Sequence, residues 1–349
     1  EPLINAATEL LQSDVAAASS SSAADDASPS IAEWETRCHH FAAGAAHPGG
    51  RSIPRVDART LTVDEFRSRF MEPSASPRPV ILTHAIGEWP ALGGSSSSSA
   101  SDAASAWTMS SLRSRHGARL VPVETYSAED ATSTYLSDSW AQRVMPLSDY
   151  LDRYVLETAA TDSSKQQGDE EDAATAKGYL AQHQLLDQIP SMRREIITPS
   201  FCSAKTSADR DAPSTCEVRE APIVSAWLGP GGTVSPLHTD PFHNLLCQVI
   251  GHKYIRLYAA KETRRLYPRS GALCNNCFVN LDQPDHANQP LFEDTPFEQC
   301  VLGPSEVLYI PRHVWHYVRS LEPSVSVSFW WGARMALTMT KEGEVEATY

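Results

Sequence analysis

Long apolar runs are missing from this chain of 349 residues. No stretch approaches the roughly 18 apolar residues in a row that a membrane helix needs, so we predict no membrane-spanning segment. Apolar residues still make up 41% of the chain, and eight of them are Trp. That content can build a core and excludes wholesale disorder. The length allows one large domain or two ordinary ones.

Basic residues are also scarce, because 29 Lys and Arg face 43 Asp and Glu and leave a net charge of −14. Proteins that bind nucleic acids usually present a basic surface, so we predict no direct nucleic-acid binding. An acidic surface attracts basic partners, which favours a basic protein or peptide as the partner. The oligomeric state is not predicted from the sequence.

The seven cysteines are an odd number scattered over a long chain, which does not fit a disulfide framework. This usage predicts a reducing, intracellular location, in the nucleus, the cytoplasm or both. Cys274 and Cys277 form one CxxC pair, whereas a structural zinc site normally takes four ligands. We therefore expect a surface loop with free thiols there. The chain begins at Glu1 instead of Met, which favours a fragment or a processed product.

Composition divides the chain. Residues 1–50 are rich in Ala, Ser and Asp and are predicted to be a disordered or linker segment. Residues 51–177 are predicted to form the N-terminal part of the main domain, with a Ser-rich insertion at 94–106 and an acidic one at 159–176. A third polar insertion spans 203–216. All three are expected to be surface loops that carry no core.

Helices are expected in the first half. Thr62 with Glu65 three residues later is a capping-box pattern, which predicts that a helix begins there. A second helix is predicted to end at Gly117, and a short one near residues 6–11. After Pro222 the chain turns into short, often alternating runs separated by Gly and Pro, which are typical of a β-sandwich or barrel. These runs are IVSAWLG, NLLCQVIG, HKYIRLY, EVLYIP, HYVRSL and SVSVSFWW.

His238 and Asp240 stand two positions apart. On a strand, alternate side chains share a face, so both could reach one cavity and bind a divalent metal. A facial triad needs a second His. His313 and His316 are candidates; three positions apart on a strand, they face opposite sides, so only one can join. Such a triad leaves positions for Fe(II) to hold a 2-oxoacid and O2, and a barrel carrying it is typical of the cupin jelly roll.

Lys253 shares a predicted strand face with Ile255 and Leu257. A lysine among apolar side chains is costly unless it is paired, and a bound dicarboxylate would pair it. The alternative is a lysine that extends its ammonium to solvent at the start of a strand. The last predicted strand, 324–331, alternates Val and Phe with Ser and Trp, as a strand that lines a cavity does; plain sandwich packing is the alternative.

Several blocks of sequence resemble the Jumonji-C family, and within it the Jumonji domain-containing protein five group, also called lysine demethylase eight. The two longest blocks are residues 225–268 and 306–331, and shorter ones cover 178–190, 78–91 and 120–124. The blocks fall in the expected order. Together they extend over roughly residues 53–332, interrupted by the three polar insertions.

This resemblance implies a mainly β, double-stranded β-helix core at residues 178–335, with N-terminal helices around it, 51–177 as the N-terminal part of the catalytic domain and 336–349 as a C-terminal tail. It implies Fe(II), 2-oxoglutarate and O2 as cofactor and cosubstrates. The implied iron ligands are His238, Asp240 and His316. The implied cosubstrate residues are Lys253, Tyr179, Asn244, Trp330, Ser235 and Gln182. The implied substrate residues are Glu124, Trp227, Tyr135 and Trp140.

The resemblance also implies a protein hydroxylase. We favour hydroxylation of an arginine side chain, because Glu124 suits a guanidinium and the compact domain shows no histone-reading module. Demethylation of histone lysines on the same site is the first alternative, and a non-catalytic regulatory scaffold is the second. The intact triad and Lys253 count against the scaffold.

Overall fold

The computed structural model describes residues 31, 33, 50–72, 76–93, 105–127, 135–136, 139–156, 176–339 and 345–348. The short helix expected near residues 6–11 lies outside the described residues. So do nearly all of the predicted N-terminal linker and of the first two polar insertions.

The first N-terminal helix begins where its capping residues predict. Thr62 Oγ1 accepts from the Glu65 N–H at 3.2 Å, and the Glu65 carboxylate accepts from the Thr62 N–H at 2.9 Å. This reciprocal pair confirms the predicted capping box. The second predicted helix, Met109–His116, ends at Gly117 as expected. None of the helices in the described residues is long and apolar enough to cross a bilayer.

The remaining helical segments are short. The first helix, Val63–Phe66, continues as the π-helical turn Arg67–Met71. The other α-helices are Leu147–Tyr150, which continues as the π-helical Leu151–Leu156, then Leu185–Gln188, Pro190–Arg193 and Ser207–Arg210. The 3-10 helices are Ala58–Thr60, Pro90–Leu92, Ser200–Ser203, Ala260–Leu266, Gly271–Leu273 and Pro290–Phe292.

Two sheets form the body of the structure. The smaller contains β1 (Gly50–Ser52), β8 (Val234–His238), β10 (Lys253–Tyr258), β11 (Phe297–Leu302) and β13 (Trp315–Ser320), in the order β1-β11-β10-β13-β8. The larger contains β2 (Arg55–Asp57), β3 (Val80–Thr83), β4 (Leu120–Ser127), β5 (Ala141–Pro146), β6 (Ala176–His183), β7 (Val218–Gly229), β9 (His243–Ile250), β12 (Val307–Ile310) and β14 (Ser324–Ala333). Its order is β2-β3-β12-β9-β14-β7-β6-β4-β5. β15 (Ala336–Met339) and β16 (Val345–Thr348) form a separate hairpin.

These pairings give the mainly β, double-stranded β-helix fold that the sequence predicts. All six strands expected after Pro222 are present, and β8, β11, β15 and β16 are additional strands outside those six runs. Along the chain, β8 to β10 and again β11 to β14 alternate between the two sheets, so a cavity can open between them. This architecture places side chains from both sheets around one site.

The two faces of β14 have different environments. Val325, Val327 and Phe329 pack into the largest hydrophobic cluster, with side chains of the N-terminal helices such as Phe66. The opposite face carries Ser328 and Trp330, which line the cavity between the sheets. This confirms the cavity-lining role predicted from the alternation. A further apolar cluster between the sheets includes Ile255 and Leu257.

The third polar insertion, 203–216, does not behave as predicted. It was expected to be a surface loop, yet it contains the helix Ser207–Arg210 with its own capping box at Thr206. Asp209 is only 4% exposed and lies 2.6 Å from Arg312. The prediction was wrong because its polar composition hid a buried charge whose partners are distant in sequence.

Candidate active site

Three potential metal ligands meet at one end of the cavity. His238 ends β8 and lies opposite His316 of β13 in the strand register, and the two rings are 4.1 Å apart. Asp240 Oδ2 is 3.6 Å from His316 Nε2. The ligand atoms of all three residues lie within 4.8 Å of one another. Asp240 follows the end of β8, so the loop after the strand, and not strand alternation as predicted, brings it to the site.

Both histidines of this group present Nε2 to the cavity. His238 Nδ1–H donates to the Pro236 carbonyl at 2.7 Å, and His316 Nδ1–H donates to the Val314 carbonyl at 3.0 Å. Backbone bonds of this kind fix the tautomer and leave Nε2 as the ligand atom. Burial and the neighbouring His238 lower the pKa of His316 to about 4 despite Asp240. The ring is therefore neutral near pH 7, as metal ligation requires.

The carboxylate of the group is also oriented. Trp330 Nε1–H donates to Asp240 Oδ2 at 3.2 Å. Two imidazole nitrogens and one carboxylate, supplied from one side, are the donor set of the facial triad that suits Fe(II). The residues present therefore fit a bound iron, with His238, Asp240 and His316 as the residues that would hold it.

His313 does not join this group. It lies in the turn before β13 with a φ of 65°, and its Nε2 is 2.9 Å from the Met335 carbonyl oxygen. The sequence left His313 and His316 as equal candidates on spacing alone. The structure brings His316 to His238 and Asp240 and directs His313 elsewhere.

Lys253 lies deep in the cavity, only 1% exposed. Its Nζ donates to the Tyr179 hydroxyl at 3.5 Å, and no acidic side chain among the described residues forms an ion pair with it. Burial lowers its pKa to about 7. The alternative of an ammonium extended into solvent is wrong. Asn244 Oδ1 is also buried and has no hydrogen-bond partner. A buried ammonium without a carboxylate is costly, so a polar ligand with an anionic group would satisfy Lys253.

Both sheets contribute to the cavity wall. Its lining residues are Tyr179, Trp227, Ser235, His238, Asp240, Asn244, Leu246, Lys253, Ile310, His316, Val318, Ser328 and Trp330. Of the predicted cosubstrate residues, only Gln182 is not among them. It has a φ of 47° at an irregular point of β6 and is exposed. Its role as a cosubstrate residue therefore stays a prediction.

The predicted substrate residues lie at one side of this cavity. Trp227 lines it, with its ring 6.0 Å from Tyr179 and 6.2 Å from Trp330. Glu124 on β4 is paired in register with Tyr179 on β6. Burial raises the pKa of Glu124, and a hydrogen bond from Trp140 partly opposes that rise. No Arg or Lys in the described parts of the chain forms an ion pair with Glu124.

Tyr135 connects this side of the cavity to the CxxC segment. Its hydroxyl donates to Asn276 Oδ1 at 2.5 Å. Burial, and the charges of Asp240 and Glu124, raise its pKa, so it lies near both carboxylates. Asn276 was not predicted as a site residue. Its backbone forms a bridge to His238, which the sequence pattern does not show.

The CxxC segment itself differs from the expected surface loop. Cys274 is exposed, but Cys277 is buried, and its thiol donates to the Leu237 carbonyl at 3.5 Å. The Thr239 N–H donates to the Asn275 carbonyl at 2.9 Å. The segment therefore packs against the loop that carries the metal ligands. Leu246, Ile310 and Val318 were also missed as lining residues, because apolar side chains on strands give no chemical signal.

A double-stranded β-helix with a His-Asp-His group between its sheets is the architecture of the cupin-like oxygenases, and comparison with known proteins agrees. A cupin-like domain matches residues 65–336. The chain therefore belongs to the cupin-like family.

Individual relatives cover most of this chain but only part of their own length. Lysine-specific demethylase 8 of Danio rerio is 38% identical over 80% of this chain and 58% of that protein. Jumonji C domain-containing protein 5 of Drosophila melanogaster is 38% identical over 80% of this chain and 59% of that protein. Lysine-specific demethylase JMJ30 of Arabidopsis thaliana is 36% identical over 79% of this chain and 54% of that protein. The chain thus spans little more than half the length of these relatives.

Proposed function

We propose that this chain is an Fe(II)- and 2-oxoglutarate-dependent oxygenase that hydroxylates an arginine side chain of a basic protein. The observation that carries the oxygenase activity is the unpaired, buried Lys253 in the same cavity as the His238, Asp240 and His316 group. Bound iron and 2-oxoglutarate would supply the oxygen activation that hydroxylation of a C–H bond requires.

The cavity side chains have distinct roles in this proposal. Lys253 holds the distal carboxylate of 2-oxoglutarate by a charge-assisted hydrogen bond, next to the Tyr179 hydroxyl. Asn244 lines the same cavity and would donate its amide Nδ2–H to the same ligand. Trp330 keeps the Asp240 carboxylate in place. The walls from both sheets exclude water from the reacting carbon.

Glu124 favours arginine as the target. Its carboxylate is partly buried beside the cavity, burial raises its pKa, and no Arg or Lys of the described residues forms an ion pair with it. A guanidinium pairs with a carboxylate through two parallel N–H bonds and stacks on aromatic faces such as Trp227 and Trp140. The net charge of −14 would attract a basic substrate.

Lysine demethylation is the second candidate, and the names of the relatives are the observation that favours it. The proteins from Danio rerio and Arabidopsis thaliana carry the name lysine-specific demethylase. Hydroxylation of an N-methyl group would release that methyl from lysine. A trimethylammonium has no N–H to donate to Glu124, so this residue fits the guanidinium better.

Two further features, the division of the chain and its location, are also proposals. We assign the catalytic core to residues 178–335, with 51–177 as its N-terminal part and 336–349 as a tail. We propose residence in the nucleus, the cytoplasm or both, where histones and other basic proteins occur.

The first experiment uses a crystal of the full chain soaked without oxygen in Mn(II) and 2-oxoglutarate. Anomalous density between His238, Asp240 and His316, with a dicarboxylate at Lys253, is the expected result. Metal at Cys274 and Cys277 instead would refute the site.

The second experiment identifies the reaction. The full chain is incubated with Fe(II), ascorbate, 2-oxoglutarate and peptides that contain arginine or methylated lysine, and products are analysed by mass spectrometry. We expect one added oxygen on arginine, abolished by His316→Ala and retained in His286→Ala, a histidine exposed outside the cavity. Loss of a methyl group from lysine would favour demethylation. If the His316→Ala variant kept its full function in cells, the non-catalytic regulatory scaffold would be favoured instead.

A further inference from the structure

The larger sheet extends beyond the smaller one at its β4–β5 end. Strands β4 and β5 follow β6 at the edge of the nine-stranded sheet, whereas the smaller sheet has five strands and ends at β8. On β4, Val121 and Val123 pack into the main core. The alternating residues therefore face the other way, towards the side on which the cavity lies.

These outward residues form what we call the overhang face: Leu120, Pro122 and Glu124 on β4 with Gln142 and Val144 on β5. Pro122 pairs with Val144 and Glu124 with Gln142, and directly paired residues lie on the same side of a sheet. The overhang face therefore has an apolar end at Leu120 and Val144 and a polar end at Glu124.

The apolar end is unusually open. Val144 is 67% exposed and Leu120 is 55% exposed, and Trp140 beside Glu124 is 39% exposed. Adjacent exposed apolar side chains of this size mark an interaction surface more often than isolated ones do. Met145, the neighbour of Val144, packs against the main core instead, so the exposure of Val144 follows from the strand's alternation.

The polar end leads directly into the cavity. Glu124 is paired with Tyr179, which lines the cavity. At roughly 3.3 Å per residue along a strand, Val144 lies about 7 Å from the position of Glu124 and Leu120 about 13 Å. An extended chain whose target side chain is held at Glu124 would reach them with residues two to four positions away.

We propose that the overhang face binds the polypeptide substrate next to its modified residue, with an apolar side chain two to four positions away packed on Val144 and Leu120. This inference rests on the proposed function. Continuity with the cavity identifies the substrate as the occupant. A second copy of the chain is disfavoured, because two chains with a net charge of −14 each repel one another.

The test uses synthetic peptides with one central arginine in a basic background and with either Leu or Ser at each position from two to four on both sides. Burial of an apolar side chain is favourable, so wild type should prefer Leu by about tenfold in kcat/KM at one of these positions. Val144→Glu and Leu120→Ser should each remove most of that preference. Leu291→Ser, at an exposed position on a 3-10 helix away from the sheet edge, should keep it.

The outcomes separate this inference from the proposed function. If wild type modifies none of the peptides, the proposed function fails. If wild type modifies them without a Leu preference, or if the preference survives in both variants with unchanged melting temperatures, the overhang face is not the docking surface. A wild-type dimer that dissociates in Val144→Glu would assign the face to a second copy and overturn the inference.

Discussion

Two buried charges lie on opposite sides of the larger sheet, and their surroundings differ. Asp209 accepts from Arg312 Nη2 at 2.6 Å and from the Ala333 N–H at 2.8 Å, and its second oxygen accepts from the Thr206 hydroxyl at 2.7 Å. Lys253 has the Tyr179 hydroxyl at 3.5 Å and no carboxylate in the described residues. The charge of Asp209 is satisfied by the chain, whereas Lys253 has no partner of opposite charge among the described residues.

The comparison separates a structural charge from a binding charge. A buried charge is tolerated when it is paired and hydrogen-bonded, and Asp209 meets that condition. Burial would raise the pKa of Asp209, but Arg312, His243 and the hydrogen bonds lower it overall. The adjacent His313 N–H donates to the Asp240 carbonyl at 3.0 Å, so the Asp209 cluster also supports the loop that carries a proposed ligand.

The largest expected effect is on stability, from Asp209→Ala. This change leaves Arg312 buried without its carboxylate, and breaking a buried pair in this way costs roughly 3–5 kcal/mol. Asp152→Asn is the matched control, because Asp152 pairs with Arg113 at 2.6 Å on the surface and an exposed pair is worth about 1 kcal/mol or less. Urea unfolding of the two variants measures both losses.

Equal losses in these two variants would contradict the comparison. They would mean that burial does not distinguish the Asp209 cluster from a surface ion pair. The Asp209→Asn variant separates charge from shape. If it is as stable as wild type while Asp209→Ala is destabilised, the effect comes from the shape of the side chain and not from its charge.

The second-largest expected effect is an increase in stability, opposite in sign to the loss expected for Asp209→Ala. Lys253→Met should abolish 2-oxoglutarate binding and yet stabilise the ligand-free protein. Burial lowers the pKa of Lys253 to about 7, whereas an unfolded lysine titrates near 10.4. Below pH 10 this lysine must therefore lose its proton on folding or be buried with its charge. Either event lowers the free energy of unfolding by a few kcal/mol at pH 7.

The pH dependence gives this prediction its sign. The destabilisation caused by burying Lys253 has its full size below about pH 7. It disappears as the pH approaches 10.4, because the unfolded lysine is then neutral as well. The stability gained by Lys253→Met should therefore shrink between pH 7 and pH 10, measured by thermal unfolding. A variant that is less stable than wild type at every pH would show that Lys253 is satisfied by the protein itself.

The two charges were not equally predictable. Lys253 could be found from the sequence, because it stands on a strand face with Ile255 and Leu257 and a lysine there breaks the apolar pattern. Asp209 could not, because it lies in a polar segment and its partners Arg312 and Ala333 are more than 100 positions away. The six strands after Pro222 and the Thr62 capping box are local patterns and were predicted, whereas the capping boxes at Thr108 and Thr206 were not. Gln182 has a positive φ at an irregular point of β6 and lies outside the cavity lining, which its sequence pattern does not show.

The smallest expected effect concerns the pH dependence of 2-oxoglutarate affinity. Below about pH 7 Lys253 is already charged in the free site, so the affinity should not change with its protonation. Above pH 7 the ligand must draw one proton onto Lys253, and the Kd should rise by up to about tenfold per pH unit. Titration calorimetry with the Mn(II)-loaded protein in buffers of different ionisation enthalpy measures both the slope and the proton uptake. Lys253→Arg is the control, because a guanidinium stays charged over this range and its slope should vanish. The same slope in both proteins would show that another group takes up the proton, and Lys253 would then join Asp209 as a structural charge.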